Sequence, residues 1–390
     1  MEYTNQISRI QYWLTVAYVF SLLGFSDIPK FLPVFYLISV CYIGFCGIIP
    51  MFSVLKIRRN SAVRYYFLLL LWVFFSAIWQ VYDTYYSQRV ITMSMILMST
   101  LPLSYMVNSK EEFDEVIDSV IVGGVLALIF RITVLGTASI EGGNGIAIAG
   151  AIIFSMCLSK YCCNRKKKYI LYMFIIVPVI FFTASRRAIL YVIISYVIIV
   201  FFSGQKFLKK IVISILLGLI ALYLLSTLPA FEYMMNRILV TLNPTAYQTK
   251  DYSTIYRMAL IEEGWKSFVK RPILGYGVGY SFEVISYGIY SSKTYLHNNY
   301  LELMVGLGTV GTILYYSIYI HLLRLSTVCP DKVIRAFACA IVILFLFSDI
   351  GSVSYYDKFS IWTLILISFG GEAYGRYYGT DTDVQQGIHN

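Results

Sequence analysis

Apolar runs of roughly 15–22 residues, near the length needed to cross a bilayer, recur along most of the chain. Short polar breaks separate them. The runs do not alternate apolar and polar residues as barrel strands do, so they predict helices. About twelve transmembrane helices are expected, near 10–25, 31–52, 65–82, 90–107, 116–135, 145–161, 169–184, 187–202, 211–228, 299–321, 333–350 and 359–373. The pattern stops once, between 229 and 298. The chain therefore divides into helices one to nine (1–228), a long loop (229–298), helices ten to twelve (299–373) and a polar tail (374–390).

Two breaks need more than hydropathy. Residues 169–202 as one helix would be about 50 Å long, against a hydrocarbon core of about 30 Å. The polar stretch Thr183-Ala-Ser-Arg-Arg-Ala188 is thus expected to separate two short helices, with their junction recessed below the membrane surface. Within the long loop, Ile255, Met258, Ala259, Ile261 and Trp265 follow helical spacing and predict an amphipathic helix near 253–269. Lys270-Arg271-Pro272 ends it, because a residue preceding proline avoids the helical region. The tail from Glu372 onward is expected to be disordered.

Charge orients the helices. Basic residues fill every second break: Lys56, Arg58, Arg59 and Arg64; Lys160 and Arg165 to Lys168; Lys206, Lys209 and Lys210; Arg324, Lys332 and Arg335. By the positive-inside rule both termini lie in the cytoplasm and the long loop faces outward, which points to the inner (cytoplasmic) membrane. One break is acidic instead, from Glu111 to Asp118. There Ser109-Lys-Glu-Glu112 fits a capping box, so the acidic residues are expected to open a helix.

Composition agrees. The chain is 58% hydrophobic and 13% charged, with mean hydropathy +0.71, whereas soluble domains carry about 25% charged residues. The net charge of +10 sits in loops and not on a basic soluble domain, which argues against nucleic acid. None of the seven cysteines lies in the long loop, and no Cys/His spacing suits a metal. No cofactor is implied. The first apolar run lacks a small-residue cleavage site and reads as a helix, not a signal peptide.

Polar chemistry concentrates between 183 and 316. Arg186 and Arg187 at a recessed junction are costly, and either serve function or snorkel to lipid phosphate. Arg257 stands on the loop helix with Trp265. Arg131 either lines a polar cavity or pairs with Glu141. Gly275-Tyr-Gly-Val-Gly279 has no strand before it, so it is not a nucleotide fingerprint; its glycines are expected to press the loop onto the membrane helices. His297 and Asn298 stand at the entry of the tenth helix, where they either serve a proton transfer or cap the helix. Glu302 lies one turn further in, and intramembrane carboxylates face partners. Gly308 and Gly311 suit close helix packing. Tyr276 is one of many loop tyrosines that either stack on sugar or sit at the interface.

Together these motifs resemble the O-antigen polymerase and ligase family of polytopic glycosyltransferases. The resemblance rests on Ser185-Arg186, on Arg257 with Trp265, on Pro272-Ile-Leu-Gly-Tyr-Gly-Val-Gly, and on His297-Asn298-x-Tyr-Leu-Glu followed by Gly308-x-x-Gly311. It implies an all-α, GT-C-like membrane enzyme acting at the outer face of the membrane without a metal. Donor and acceptor would be undecaprenyl-diphosphate-linked oligosaccharides, with membrane lipid and a chain-length regulator as further partners. Arg186 and Arg257, with Arg187 a weaker third, would hold the diphosphate, and His297 would act as base. Asn298, Glu302, Trp265 and Tyr276 would bind substrate. Arg187 stands where this family is expected to carry a small residue. The favoured activity is polymerisation of repeat units into O-antigen, capsule or exopolysaccharide. Ligation of finished glycan to lipid A core or protein uses the same chemistry. A lipid-linked glycan flippase is the alternative of another class, disfavoured by the long loop and the absence of visible repeats.

Overall fold

The computed structural model describes residues 8–53, 60–80, 85–136, 144–183, 185–202, 252–281, 295–329 and 331–386. These residues are helical, without strands. In chain order the helices are α1 (Arg9–Gly24), α2 (Pro29–Phe52), α3 (Ser61–Ser76), α4 (Tyr86–Ser99), α5 (Lys110–Thr133) and α6 (Asn144–Asn164). They continue with α7 (Lys168–Phe182), α8 (Arg186–Phe202), α9 (Tyr252–Lys270), α10 (Asn299–Val328), α11 (Lys332–Asp349) and α12 (Lys358–Gln386). Four are long and apolar enough to cross a membrane: α2, α5, Gly145–Asn164 within α6, and α10. Ser61–Ser76, Lys168–Phe182 and Arg187–Phe202 are shorter apolar helices. The helix expected at 211–228 lies outside the described residues. The fold is that of an integral membrane protein.

The polar punctuation sets the helix ends. Ser109 accepts from the Glu112 N–H while the Glu112 carboxylate accepts from the Ser109 N–H, a complete capping box at the start of α5. The acidic break that ran against the charge rule is neutralised in place. Lys160 is buried beside Asp114 (3.4 Å) and Asp118 (3.3 Å), and Lys168 reaches Asp118 at 2.9 Å. The 169–202 stretch is two helices, α7 and α8, of 15 and 17 residues. At about 1.5 Å per residue each is shorter than the hydrocarbon core. The tail from Glu372, expected to be disordered, continues α12 to Gln386; extending a formed helix fixes one residue per added hydrogen bond and avoids a second nucleation.

α12 runs through the middle of the bundle. Phe359 to Phe369 are buried on every side, as befits a helix apolar all round. Its Trp362 donates to the Ser99 carbonyl at 3.1 Å, satisfying a group left open at the end of α4.

The long α10 is bent at Gly308, whose φ of 67° and ψ of −170° are non-helical. The bend opens the backbone ladder, and the freed carbonyls take new donors. Val305 O accepts from Tyr276 N (3.0 Å) and Gly306 O from Gly277 N (2.8 Å). Leu307 O accepts from the Trp72 indole at 3.0 Å. In return Thr309 N donates to Pro272 O at 2.8 Å. The glycine-rich loop is therefore hydrogen-bonded into the kink of α10, as its expected role of pressing the loop onto the helices requires. Gly308 itself serves the kink and not the helix packing expected of it.

Candidate active site

At one end of the bundle the helix termini surround a cavity of about 570 Å³. Three groups expected from sequence meet there: Arg187, Arg257 and His297. Tyr295 joins them.

Each is delivered by a separate element. Arg187 occupies the first turn of α8. Its guanidinium packs so closely on Gly351 that a Cβ there would sit 2.5 Å from Nη1. Arg257 shares one face of α9 with Leu260 and Gly264, at spacings of i, i+3 and i+7. Gly264 lets that face press on Leu296 and Leu301, where a Cβ would come within 2.6 Å of Leu301. The adjoining face, with Met258 and Trp265, is exposed. His297 lies between two anchors. The Leu296 N–H donates to the Glu302 carboxylate at 2.9 Å, and Asn298 caps α10 by accepting from Leu301 N at 3.0 Å. Between them His297 takes φ 53°, uncommon for a residue with a side chain. Its ring rests on Tyr295, with centroids 4.0 Å apart.

The arginines define the electrostatics. Burial, then the positive charges of Arg257 and Arg187, push the His297 imidazole down to about 4. It is neutral at neutral pH and able to accept a proton. Burial raises the Tyr295 phenol, so it stays protonated.

Other expected residues have different places. Glu302 is buried and accepts from Ser281 Oγ (2.5 Å) as well as from Leu296 N. It ties together residues on both sides of the 282–294 stretch and does not line the cavity. Asn298 is occupied as the α10 cap. Tyr276 stacks on Tyr280 (4.0 Å), under Arg271, in a small apolar cluster with Leu260 and Val305. Trp265 is 54% exposed and packs against Phe268. None of these four lines the cavity among the described residues. The Arg186 backbone opens α8, but its side chain lies outside the described residues, as does Glu141. Arg131 takes the cavity alternative and pairs with Asp27.

Sequence reasoning missed other parts of the lining. Gln88, Arg89 and Thr92 come from the start of α4, Ser352 to Ser354 with Tyr356 and Asp357 from the turn before α12, and Lys358 to Ser360 from its first turn. It also missed the brace behind the site. The buried Asp349 carboxylate accepts from Ser354 Oγ (2.5 Å), Tyr316 OH (2.9 Å) and Asn299 Nδ2 (3.2 Å). Asn299 Oδ1 accepts from the Ser354 and Tyr355 N–H groups at 2.9 and 3.2 Å. This network locks the start of α10, two residues from His297, to the turn carrying Tyr356. A lone carboxylate in an apolar segment was the available signal for Asp349.

The helices that bear Arg187 and Arg257, and the kink of α10, fall within one segment that matches a family of known proteins. Residues 170–316 match the family model described as O-antigen ligase. This part of the chain is an O-antigen ligase family domain. It takes in α8, α9, His297 and the Gly308 kink, and so spans Arg187 and Arg257. The family comprises glycosyltransferase-like enzymes of O-antigen processing. No curated protein matches the chain.

Proposed function

We propose that this protein is a polymerase that joins undecaprenyl-diphosphate-linked oligosaccharide repeat units at the outer face of the cytoplasmic membrane. The observation that carries this reading is the meeting of Arg187, Arg257 and His297 in one cavity at the loop-bearing end of the bundle. In the proposed step the acceptor sugar hydroxyl attacks the anomeric carbon of the donor glycan. Its proton passes to His297. The bond from anomeric carbon to phosphate oxygen breaks, and the electron pair leaves with the lipid diphosphate. Arg187 and Arg257 hold that diphosphate through paired hydrogen bonds and stabilise the charge on the departing oxygen. Two guanidinium charges match the one negative charge per phosphorus of a diphosphate diester, so the step is written without a metal. Arg186, beside them at the start of α8, remains a candidate by position. A chain-length regulator would act on the product, outside this site.

The test is glycan size in cells lacking the gene, with carrier-linked intermediates extracted in parallel. Single repeat units on the carrier or final acceptor support polymerase. The description of the matched family favours a second reading, ligase, for which long chains would remain on the carrier and be missing from the acceptor. An unchanged glycan with no intermediate removes both.

The lowered His297 imidazole gives a pH prediction. A base works unprotonated, so activity is lost as pH falls through its pKa. In the free enzyme that point is about 4, so kcat/KM should stay flat from pH 8 down to about 5, where an unperturbed histidine near 6.5 would already be failing. Bound diphosphate offsets the two arginines that depress His297, so kcat should show an acid limb at higher pH than kcat/KM. Coincident limbs near 6.5 would rule out His297 as the base in this environment.

A further inference from the structure

The loop helix α9 presents three different sides to its surroundings. At about 3.6 residues per turn, Leu260 and Gly264 fall on one side, which is buried against Leu296 and Leu301 before and within the start of α10. Glu262, Glu263 and Lys266 fall on a second. They are exposed, and Lys266 pairs with both carboxylates at 2.9 Å, as on a helix side that faces water. Met258, Ile261, Trp265 and Val269 fall on the third. They follow i, i+3, i+7 and i+11 spacing and are between 42% and 66% exposed. The contact of α9 with α10 is made without them: its buried cluster holds Leu260, Tyr276, Tyr280, Leu296, Leu301 and Val305.

The apolar stripe does not stop with the helix. Ile273 and Leu274, just after Pro272, are exposed as well. The Leu274 carbonyl accepts from the Trp79 indole at 3.2 Å, and Trp79 packs on Trp72 with ring centroids 5.2 Å apart. Trp79 lies in the turn that follows α3, beside the exposed Phe74, Phe75 and Ile78. α3 is an apolar helix of the membrane bundle, so these side chains lie against acyl chains. Tryptophan favours the boundary between acyl chains and headgroups, where its ring is in lipid and its N–H finds a partner. The stripe on α9 is therefore joined, through Leu274 and Trp79, to the lipid-facing side of α3. An exposed apolar stripe beside a charged side is the pattern of a helix lying in a membrane interface.

We infer that the side of α9 bearing Met258, Ile261, Trp265 and Val269 is a lipid-docking surface, seated at the boundary between the acyl chains and the headgroups of the bilayer. Its partner is a lipid surface and not a second protein, because the stripe continues the lipid-facing side of α3. Arg257 lies one turn before Ile261 on the same helix, so this seat holds its guanidinium, and the cavity it lines, at headgroup depth. The inference uses the packing of α9 alone and stands whether the cavity serves a polymerase, a ligase or neither.

The experiment takes the full-length protein, purified and reconstituted in vesicles of phosphatidylcholine and phosphatidylglycerol, with or without bromine on the acyl chains near the headgroup. Bromine quenches tryptophan fluorescence on contact. Wild type is compared with Trp265→Phe, and the difference between them is the Trp265 signal. A third protein combines Trp265→Phe with Lys266→Trp, which moves the reporter about 100° round the helix to the charged side. The Trp265 signal should lose intensity in brominated vesicles and be spared by iodide in the water. The signal from position 266 should do the reverse. If the Lys266→Trp protein fails to fold, the first comparison still decides. A Trp265 signal quenched by iodide and not by bromine overturns the inference, because the stripe then faces water. A signal quenched by neither also overturns it, because another segment of the chain or a second copy then covers the stripe. Equal bromine quenching at 265 and 266 removes the sided seat.

Discussion

Arg257→Ala should lower glycan transfer by about a hundred- to a thousandfold, the loss expected when one preorganised donor to a departing oxyanion is removed. The reason lies in how the guanidinium is held. α9 is pressed onto the start of α10 through Leu260 and Gly264, and Arg257 extends from that same face into the cavity beside His297. Truncating it removes charge and fork without touching the packing at Leu260, so protein abundance in the membrane should not change. Arg257→Lys should recover only part of the rate, because an ammonium keeps the charge but not the bidentate geometry. Arg187→Ala should show a loss of similar size. The double variant should be less impaired than the two losses combined, because both groups serve one diphosphate. Consumption of carrier-linked repeat by isolated membranes is the measurement, and an alanine variant at Arg257 that matches wild type would end the diphosphate assignment.

Gly308→Ala should destabilise the protein strongly and disable the site without altering any proposed catalytic group. The backbone there, at φ 67° and ψ −170°, is essentially open to glycine alone. A side chain costs about 1–3 kcal/mol in strain before any clash is counted. The clash is with backbone: a Cβ at Gly308 would run into the Ile273 carbonyl and come within 2.8 Å of Gly275 N. To relieve it the loop must leave α10, which strips Tyr276 N and Gly277 N from the carbonyls at the kink. The measurements are unfolding temperature in detergent and protease sensitivity of the 272–281 segment. Gly44→Ala is the control, since nothing lies within 4 Å of a Cβ there. A Gly308→Ala protein as stable as that control would mean that the kink is not needed to dock the loop.

Helix positions were legible in the sequence because apolar length and caps are local properties. Ser109 and Glu112 cap α5 within three residues of each other, and the loop helix ends at the Lys270-Arg271-Pro272 break. The division of 169–202 into two helices followed from helix rise against membrane thickness. The 372–386 stretch was misread because composition alone does not register a helix already running into it.

The candidate site was legible in part. Arg257 and His297 stood out as polar groups in a conspicuous stretch. Their company did not, since it comes from residues far apart in the chain: Asp27 with Arg131, Asn299 with Ser354, Arg89 with Tyr356. Arg257 and Trp265 lie eight residues apart and so share a helix face only loosely, and Trp265 is exposed beside Phe268 while Arg257 lines the cavity.

The sequence by itself determined an α-helical membrane protein, the break at 183–186, the loop helix and the family to which residues 170–316 belong. Periodicity, charge asymmetry and short motifs are written in neighbouring residues. Only the tertiary structure decided that Arg187 enters the cavity, that Glu302 and Asn298 serve as anchors, that Gly308 kinks α10 to receive the loop, and that Arg131 meets Asp27 there. Each of those depends on which helix ends pack side by side, and that is fixed by burial and by backbone groups seeking partners across the whole chain.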